Sequence, residues 1–286
     1  MAAITVAIIQ ELRNRTNAGM MDCKKALMET NGDMEEAIKF LRAKGQAVQV
    51  KRADKEAKQG LIAAASCEKC GATALVEINC ETDFVAKTEG FQAFVKKAAD
   101  LAVKGEQDLA AAMKDDIGDL VAKTGENTII RRSERYTLQG TGIIKSYIHM
   151  GGKIGVLVEV GCEKAETVSA PEFADLAFDL ALQIAGAAPR FMSSADVPQA
   201  DIDAEIQVKL NAMLEQKGKL PPEAALAGIK KGMAQKFFSE ICLLDQPFVK
   251  NEPGVKSNVT QVIDAVAKKL GDKIVIRRYA RFQLGA

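Results

Sequence analysis

The chain has 286 residues, which is more than one ordinary domain needs, so two or three compact units are expected. It carries 39 lysines and arginines against 38 aspartates and glutamates. This balance argues against a dedicated nucleic-acid binder, which needs a surplus of positive charge to neutralise phosphates. Because the sequence has neither an apolar stretch long enough for a transmembrane helix nor a secretion signal, we predict a cytoplasmic protein with no membrane partner.

Histidine and cysteine usage narrows the chemistry further. His149 is the only histidine, which excludes a metal site built from several histidines, and we expect neither a metal nor another cofactor. Six cysteines without regular spacing predict reduced thiols rather than a disulfide framework.

The first 54 residues predict a small bundle of three helices. Asp33 with Glu36 three residues later is an acidic variant of the capping box and marks the start of the third helix. The apolar residues after Asp33 recur at helical spacing, and the mixed charges of residues 44–59 predict a solvated linker. The first two helices are predicted at residues 4–15 and 20–30.

An internal repeat is the most informative feature of the sequence. Residues 75–81 match residues 157–163, and residues 125–132 match residues 271–278. Each copy begins with a strand-like alternation followed by apolar residues at helical spacing. We therefore predict the α+β class, with an N-terminal domain and a duplicated α/β core over residues 1–54, 55–140 and 141–286.

The second copy is longer than the first and contains most of the prolines of the chain. Residues 202–216 and 223–240 are helical in composition, and Leu220-Pro221-Pro222 separates them. We predict an antiparallel helical hairpin, inserted at about residues 189–250, that contacts another chain.

No motif for covalent catalysis is present. Gly152-Lys153 and Gly218-Lys219 are each followed by an apolar residue, so neither is a phosphate loop. Cys67-Glu68-Lys69-Cys70 lies between two apolar runs and favours a plain hairpin turn over a zinc or redox site, because a second C-x-x-C is missing. We expect a protein that is not an enzyme.

Three short segments are candidates for contact with a partner. Thr82 is placed to cap a helical turn, and the neighbouring Phe84 is either an exposed wedge or a buried anchor, of which the buried anchor is favoured. Met20-Met21 suits a contact surface or a small core equally well. His149, beside two glycines, is interpreted as a loop histidine that bonds to a neighbouring carbonyl.

These segments resemble the three signatures of bacterial elongation factor Ts, in the expected order. The resemblance extends over essentially the whole chain, since the duplicated core with one insertion also fits the family. The signatures are Leu12-Arg13, Thr16 and Ala18-Gly19-Met20-Met21-Asp22-Cys23-Lys24-Lys25-Ala26-Leu27; Asn79-Cys80-Glu81-Thr82-Asp83-Phe84-Val85-Ala86; and Tyr147-Ile148-His149 with Gly155-Val156-Leu157-Val158.

The resemblance implies a UBA-like N-terminal bundle and a guanine-nucleotide exchange factor that binds elongation factor Tu in its GDP form. It implies that one segment disturbs the Mg²⁺ site of that GTPase, with Phe84 as a wedge, and that other residues dock on the partner. The insertion resembles the coiled-coil region through which the family forms homodimers. The Mg²⁺-disturbing residues would be Thr82, Asp83, Phe84 and Val85, and the docking residues Arg13, Met20, Met21 and His149.

Two other functions compete with this one. An RNA- or ribosome-associated adaptor would use the basic linker and the pairs Arg131-Arg132 and Arg277-Arg278, although the near-zero net charge argues against direct nucleic-acid binding. A thiol oxidoreductase would use Cys67 and Cys70.

Overall fold

The computed structural model describes residues 4–16, 18–52, 55–217, 222–252 and 254–286. The chain divides into two compact units. The first holds residues 1–137, 148–155 and 282–286, and the second holds residues 138–147 and 156–281. Both contain helices and a β-sheet, which confirms the predicted α+β class. Within the described ranges, no helix is long and apolar enough to cross a bilayer.

The first unit begins with three helices around a small apolar core. Leu12 of the first helix, Leu27 of the second and Ala37 of the third are fully buried in it. As the capping signal predicts, the Asp33 carboxylate accepts a hydrogen bond from the Glu36 backbone N–H at 2.9 Å. The helices are α1 (Val6–Thr16), α2 (Met20–Glu29) and α3 (Met34–Arg52).

The predicted linker at residues 44–59 is wrong over its first half, because α3 continues to Arg52. Residues 53 and 54 lie outside the described residues. The next element, β1, begins at Gln59. The helix is prolonged by tertiary packing against a later helix, which a local charge pattern cannot report.

Three strands form the sheet of the first unit, in the order β1-β2-β3. Both neighbouring pairs are antiparallel, and every residue of the central strand is buried. A β-bulge interrupts the second pairing between Glu77 and Ile78. The strands are β1 (Gln59–Cys67), β2 (Ala72–Cys80) and β3 (Thr128–Thr137).

The turn between β1 and β2 corrects the prediction that all cysteines are reduced. Cys67 precedes a single 3₁₀ turn and Cys70 is its last residue, which brings their Cα atoms to 5.5 Å, and their sulfurs are bonded. The predicted hairpin turn is present, closed by a disulfide. The other cysteines are free and buried: Cys23, Cys80, Cys162 and Cys242.

Four helices connect β2 to β3. The longest buries one face, including Phe91, Phe94 and Val95, against the sheet. The last of them packs on α3, where the backbones meet at Gly45 and Gly118. The helices are α4 (Asp83–Ala86), α5 (Glu89–Lys104), α6 (Leu109–Ala112) and α7 (Lys114–Thr124).

The second sheet has the order β4-β5-β6 and a comparable set of helices. Phe173 and Leu180 are fully buried on one of these helices, as the helical spacing after the second strand-like run predicts. The strands are β4 (Gly142–His149), β5 (Ile154–Cys162) and β6 (Ile274–Gln283), and three of the helices are α8 (Ala165–Val168), α9 (Pro171–Ala187) and α12 (Val259–Leu270).

Two long helices lie between α9 and α12, at the positions predicted for them. These are α10 (Gln199–Lys217) and α11 (Glu223–Ile241), which pack on each other. The predicted turn at residues 220–222 falls mostly outside the described residues. Gln183 of α9 donates a hydrogen bond at 3.1 Å to Gln246 in the segment after α11, and both side chains are buried.

Candidate functional site

The segment Thr82–Val85 forms a capped helical turn directly after β2. Thr82 has an extended backbone, and its hydroxyl oxygen accepts a hydrogen bond from the Val85 backbone N–H at 3.3 Å. This is the N-cap that the sequence predicts, and it satisfies one of the unpaired N–H groups of α4. The turn is therefore held in place at its first residue.

Phe84 projects from this turn into solvent, with 78% of its surface exposed. The interpretation of Phe84 as a buried anchor is wrong. Val85 and Ala86, which follow it in the same short helix, are buried and provide the contact with the sheet. Because a single helical turn has only one inward side, Phe84 is left outside. The ring is therefore available for contact with a partner.

Asp83 lies beside Phe84 and forms an ion pair with Lys87 at 2.6 Å. Its hydrogen bond to Lys87 holds the pKa of the Asp83 carboxyl below its ordinary value, and the charge of Lys153 adds to the effect. The exposed ring is therefore flanked by a carboxylate that stays ionised at neutral pH.

A carboxylate from far along the chain holds Thr82. Glu126 accepts hydrogen bonds from the Thr82 backbone N–H at 3.0 Å and from its hydroxyl at 2.6 Å. In the opposite direction, Glu81 accepts from the Asn127 backbone N–H at 2.7 Å. These reciprocal bonds tie the turn before α4 to the turn before β3. Sequence reasoning did not assign a role to Glu126.

The second unit contains a similar arrangement without the aromatic. Asp272 accepts hydrogen bonds from the Lys164 backbone N–H at 3.0 Å and from the Thr167 hydroxyl at 2.6 Å. Glu126 and Asp272 occupy matching positions of the internal repeat, and this was the signal that could have identified Glu126. The helical turn that Asp272 holds, α8, has the sequence Ala165-Glu166-Thr167-Val168.

The predicted docking residues of the first helices are at the surface. Arg13 is exposed on α1, and Met20 and Met21 are exposed at the start of α2. The ambiguity between core and contact surface is therefore resolved in favour of the surface for both methionines. Met28, two helical turns after Met21 on the same face of α2, is also exposed, and no pattern in the sequence points to it.

His149 is the last residue of β4 rather than a loop residue, and it is exposed. Its carbonyl accepts hydrogen bonds from the backbone N–H groups of Gly152 and Lys153, both at 3.2 Å. Met150 and Gly151 complete this tight turn with positive φ angles. The histidine is thus presented at the edge of an ordered turn.

Arginines of both pairs form ion pairs with buried carboxylates. Arg132 donates to Glu77 at 2.7 Å, and Glu77 is fully buried. In the second unit, Arg277 and Arg278 donate to Glu159, also fully buried, at 3.2 and 2.7 Å. These cations stabilise charges that burial would otherwise disfavour, so they are not a free surface for phosphates. Among the residues that the structure describes, no group of three or more side chains could hold a metal ion.

The chain is similar to known proteins over nearly its whole length. Residues 81–286 match the family model described as elongation factor TS. Proteins named elongation factor Ts from Trichlorobacter lovleyi and Bdellovibrio bacteriovorus are each 42% identical to the chain, and that from Clostridium perfringens is 41% identical. Each alignment covers 99% of this chain and 93% of the relative. The chain therefore belongs to the elongation factor Ts family of translation elongation factors.

Proposed function

We propose that the chain is a guanine-nucleotide exchange factor that binds elongation factor Tu in its GDP form and promotes GDP release, so that GTP can bind. The observation that carries this proposal is the exposure of Phe84 on a capped and clamped turn. An exposed aromatic on a fixed base loses little conformational freedom when it inserts into a partner, so most of its burial energy is available for binding.

The mechanism follows from the strict geometry of the Mg²⁺ site in a GTPase. Mg²⁺ requires near-ideal octahedral coordination, so a small displacement of the elements that carry its ligands weakens the site strongly. Thr82, Asp83, Phe84 and Val85 form the displacing segment in this proposal. Phe84 inserts between elements of the partner, buries its ring there and keeps the displaced arrangement populated.

Exchange then results from an unfavourable coupling between the two ligands of elongation factor Tu. The exchange factor weakens GDP binding, and GDP must weaken the binding of the factor by the same free energy. Each ~1.4 kcal/mol of coupling changes the affinity tenfold. No covalent bond is made or broken, so the proposal requires no catalytic residue and no cofactor of this chain.

The remaining segments supply affinity in this proposal. Arg13, Met20 and Met21 dock on the nucleotide-binding domain of the partner, and His149 contacts a second surface. Their support is their exposure in the structure and their place in the family signatures.

The proposed organisation keeps the predicted divisions. We assign residues 1–54 to a docking domain and residues 55–140 and 141–286 to two copies of a duplicated core. The same strand order in both sheets and the matched roles of Glu126 and Asp272 support the duplication. The insertion at about residues 189–250 forms a coiled coil that pairs two copies of the chain. Cytoplasmic localisation follows from the partner.

The direct test measures release of a fluorescent GDP analogue from elongation factor Tu. We expect the wild-type chain to accelerate release and Phe84→Ala to reduce that acceleration by at least tenfold. The basis is the loss of about 2–3 kcal/mol of apolar burial when a Phe ring is removed. Val255→Ala, which removes an exposed apolar side chain between the insertion and α12, is the matched control and should behave as wild type.

Two results would contradict the proposal. If the folded wild-type chain does not accelerate release from a cognate partner, the exchange function is wrong. If wild type accelerates release and Phe84→Ala matches it, exchange stands and the wedge assignment is wrong.

A further inference from the structure

The cysteine pair at the tip of the β1–β2 hairpin is chemically separate from the site described above. Cys70 is exposed and Cys67 partly exposed, and their sulfurs are bonded across one 3₁₀ turn. The pair lies at the far end of β2 from Thr82. At about 3.3 Å per residue, the length of β2 separates them by roughly 30 Å.

The four other cysteines are not available for thiol chemistry. Burial raises the pKa of the Cys80 thiol to about 12 and that of the Cys242 thiol to about 11. Cys23 and Cys162 are also buried, and burial raises the pKa of both thiols. Since the thiolate is the reactive species, exchange in this chain is confined to Cys67 and Cys70.

The hairpin does not need the disulfide to keep its shape. Nine residue pairs run from Gln59–Cys80 to Cys67–Ala72, and the hydroxyls of Ser66 and Thr73 are hydrogen-bonded at 3.1 Å next to the turn. Gly71 ends the turn in the left-handed conformation at φ 54° without strain. When the sulfur–sulfur bond is broken, the strand pairing therefore keeps the two cysteines close together, so that the disulfide can form again.

We propose that Cys67 and Cys70 form a reversible dithiol–disulfide site whose substrates are low-molecular-weight thiols and disulfides. In the reducing direction, a thiolate attacks the exposed Cys70 sulfur and the Cys67–Cys70 bond breaks, with Cys67 leaving as a thiolate that takes a proton. A second thiol then attacks the mixed disulfide, frees Cys70 as a thiol and yields the oxidised small molecule. Two thiols supply the two electrons and two protons.

The test uses the intact chain and glutathione. The chain is equilibrated at a series of reduced-to-oxidised glutathione ratios, quenched by alkylation with excess N-ethylmaleimide under native conditions, and analysed by intact mass and peptide mapping. We expect a single two-electron transition in which Cys67 and Cys70 gain alkyl groups together, while the four buried thiols stay unlabelled in the folded chain. Cys70→Ser should instead accumulate a glutathione mixed disulfide at Cys67.

The alternatives give different results. A pair that stays oxidised in excess reduced glutathione, or that oxidised glutathione fails to close, would overturn the proposal. If zinc instead protects both reduced thiols from alkylation and prevents their oxidation by glutathione disulfide, the pair is a metal-binding site and the redox proposal is wrong. GDP release should be the same in both redox states because of the distance from Phe84, so this proposal stands or falls independently of the exchange function.

The Glu126 carboxylate, which holds Thr82, supports a second inference. Both oxygens of Glu126 bond to Thr82, and Thr82 in turn caps α4 through the Val85 N–H. The base of Phe84 is thereby connected by hydrogen bonds to the start of β3. We infer that Glu126 is a positioning residue for Phe84, an inference that rests on the proposed exchange function.

The internal repeat offers a control for the structural part of this effect. Asp272 holds the turn of α8 through the same kinds of bond, and no aromatic side chain projects from that turn. Glu126→Gln and Asp272→Asn each replace one carboxylate by an amide of the same shape. Both should lower stability to a similar degree, whereas only Glu126→Gln should affect a process that depends on Phe84.

Two readouts test the positioning role. In the GDP-release assay, we expect Glu126→Gln to accelerate release at least fivefold less than the wild-type chain does. Asp272→Asn should accelerate release as wild type does, and Glu126→Asp should fall between the two. Fluorine NMR of chains labelled on phenylalanine should show a narrowed Phe84 signal in Glu126→Gln only, as a more mobile ring requires.

The possible failures are distinguishable. Normal release by Glu126→Gln in an assay where Phe84→Ala is slow would overturn the positioning role and leave the exchange function intact. Absence of acceleration by wild type would overturn the exchange function, and an unchanged Phe84 signal in Glu126→Gln would overturn the positioning role in any case.

Discussion

The contact between α3 and α7 makes a sharp prediction about Gly45. A Cβ atom at this position would lie 2.9 Å from the Ala122 Cβ and closer still to the Gly118 carbonyl oxygen. Carbon atoms in van der Waals contact are about 3.5–4.0 Å apart, so Gly45→Ala would force the two helices roughly 1 Å apart. The contact also carries the ion pair of Arg42 with Asp119, at 3.0 Å, which that movement would lengthen.

Two opposing contributions determine how much Gly45→Ala changes the free energy of unfolding. Replacing a helical glycine by alanine stabilises a helix by about 1 kcal/mol, and overpacking a close contact costs about 1–3 kcal/mol. The nearest atoms to the added Cβ belong to the Gly118 backbone, which cannot move aside as a flexible side chain can, so we take the overpacking cost at its upper end, about 3 kcal/mol. We therefore expect Gly45→Ala to lower the free energy of unfolding by about 2 kcal/mol. Gly232→Ala, in α11, is the matched control, because no atom lies within 4 Å of its added Cβ. It should raise the free energy of unfolding by up to about 1 kcal/mol.

Urea unfolding followed by far-ultraviolet circular dichroism measures both variants. Amide hydrogen exchange localises the effect, which should appear in α3 and α7 for Gly45→Ala. Opposite signs for the two variants are the expected result. A Gly45→Ala chain as stable as wild type, with unchanged exchange in α7, would show that the helices do not meet as closely as the structure has them.

Three further predictions concern buried or bonded ionisable groups. Glu77→Gln should lower the free energy of unfolding by about 2 kcal/mol in urea titrations, since it removes the carboxylate that accepts a charge-assisted hydrogen bond from Arg132; a loss below about 0.5 kcal/mol would contradict this. Burial raises the pKa of Tyr279 to about 12, so the stability that its neutral phenol contributes is present below pH ~10 and lost as the pH rises towards 12. Tyr279→Phe should remove that alkaline loss in unfolding measurements, and an unchanged alkaline profile would be evidence against it. The hydrogen bond from the Thr167 hydroxyl lowers the pKa of the Asp272 carboxyl, so the stability that this carboxylate contributes is present above pH ~4 and lost as the pH falls below it. Asp272→Asn should flatten this acid limb of the stability profile, and a limb as steep as that of wild type would rule the assignment out.

The alternative of an RNA-associated adaptor loses its main support in the structure. Arg132, Arg277 and Arg278 each donate to a buried carboxylate, and their charges are needed where they are. The sequence shows paired arginines and cannot show that Glu77 and Glu159 lie across the sheets from them. The arginine pairs therefore suggest a more basic surface in the sequence than the folded chain presents.

Local signals in the sequence determined the secondary structure of the proposed partner-binding segments and their order. The helices of the first 52 residues follow from apolar spacing, and the cap at Thr82 follows from a threonine placed before a short helix. The family signatures also lie in short, continuous runs. All of these depend on residues within a few positions of each other, which is why the sequence alone determined them.

The tertiary structure decided what those elements present to solvent and what holds them. Phe84 is exposed because Val85 and Ala86 provide the contact with the sheet, and α3 is long because α7 packs against it. Thr82 is held by Glu126, a residue 44 positions away. Burial and hydrogen bonding between distant positions arise only when the chain is folded, and no local pattern contains them.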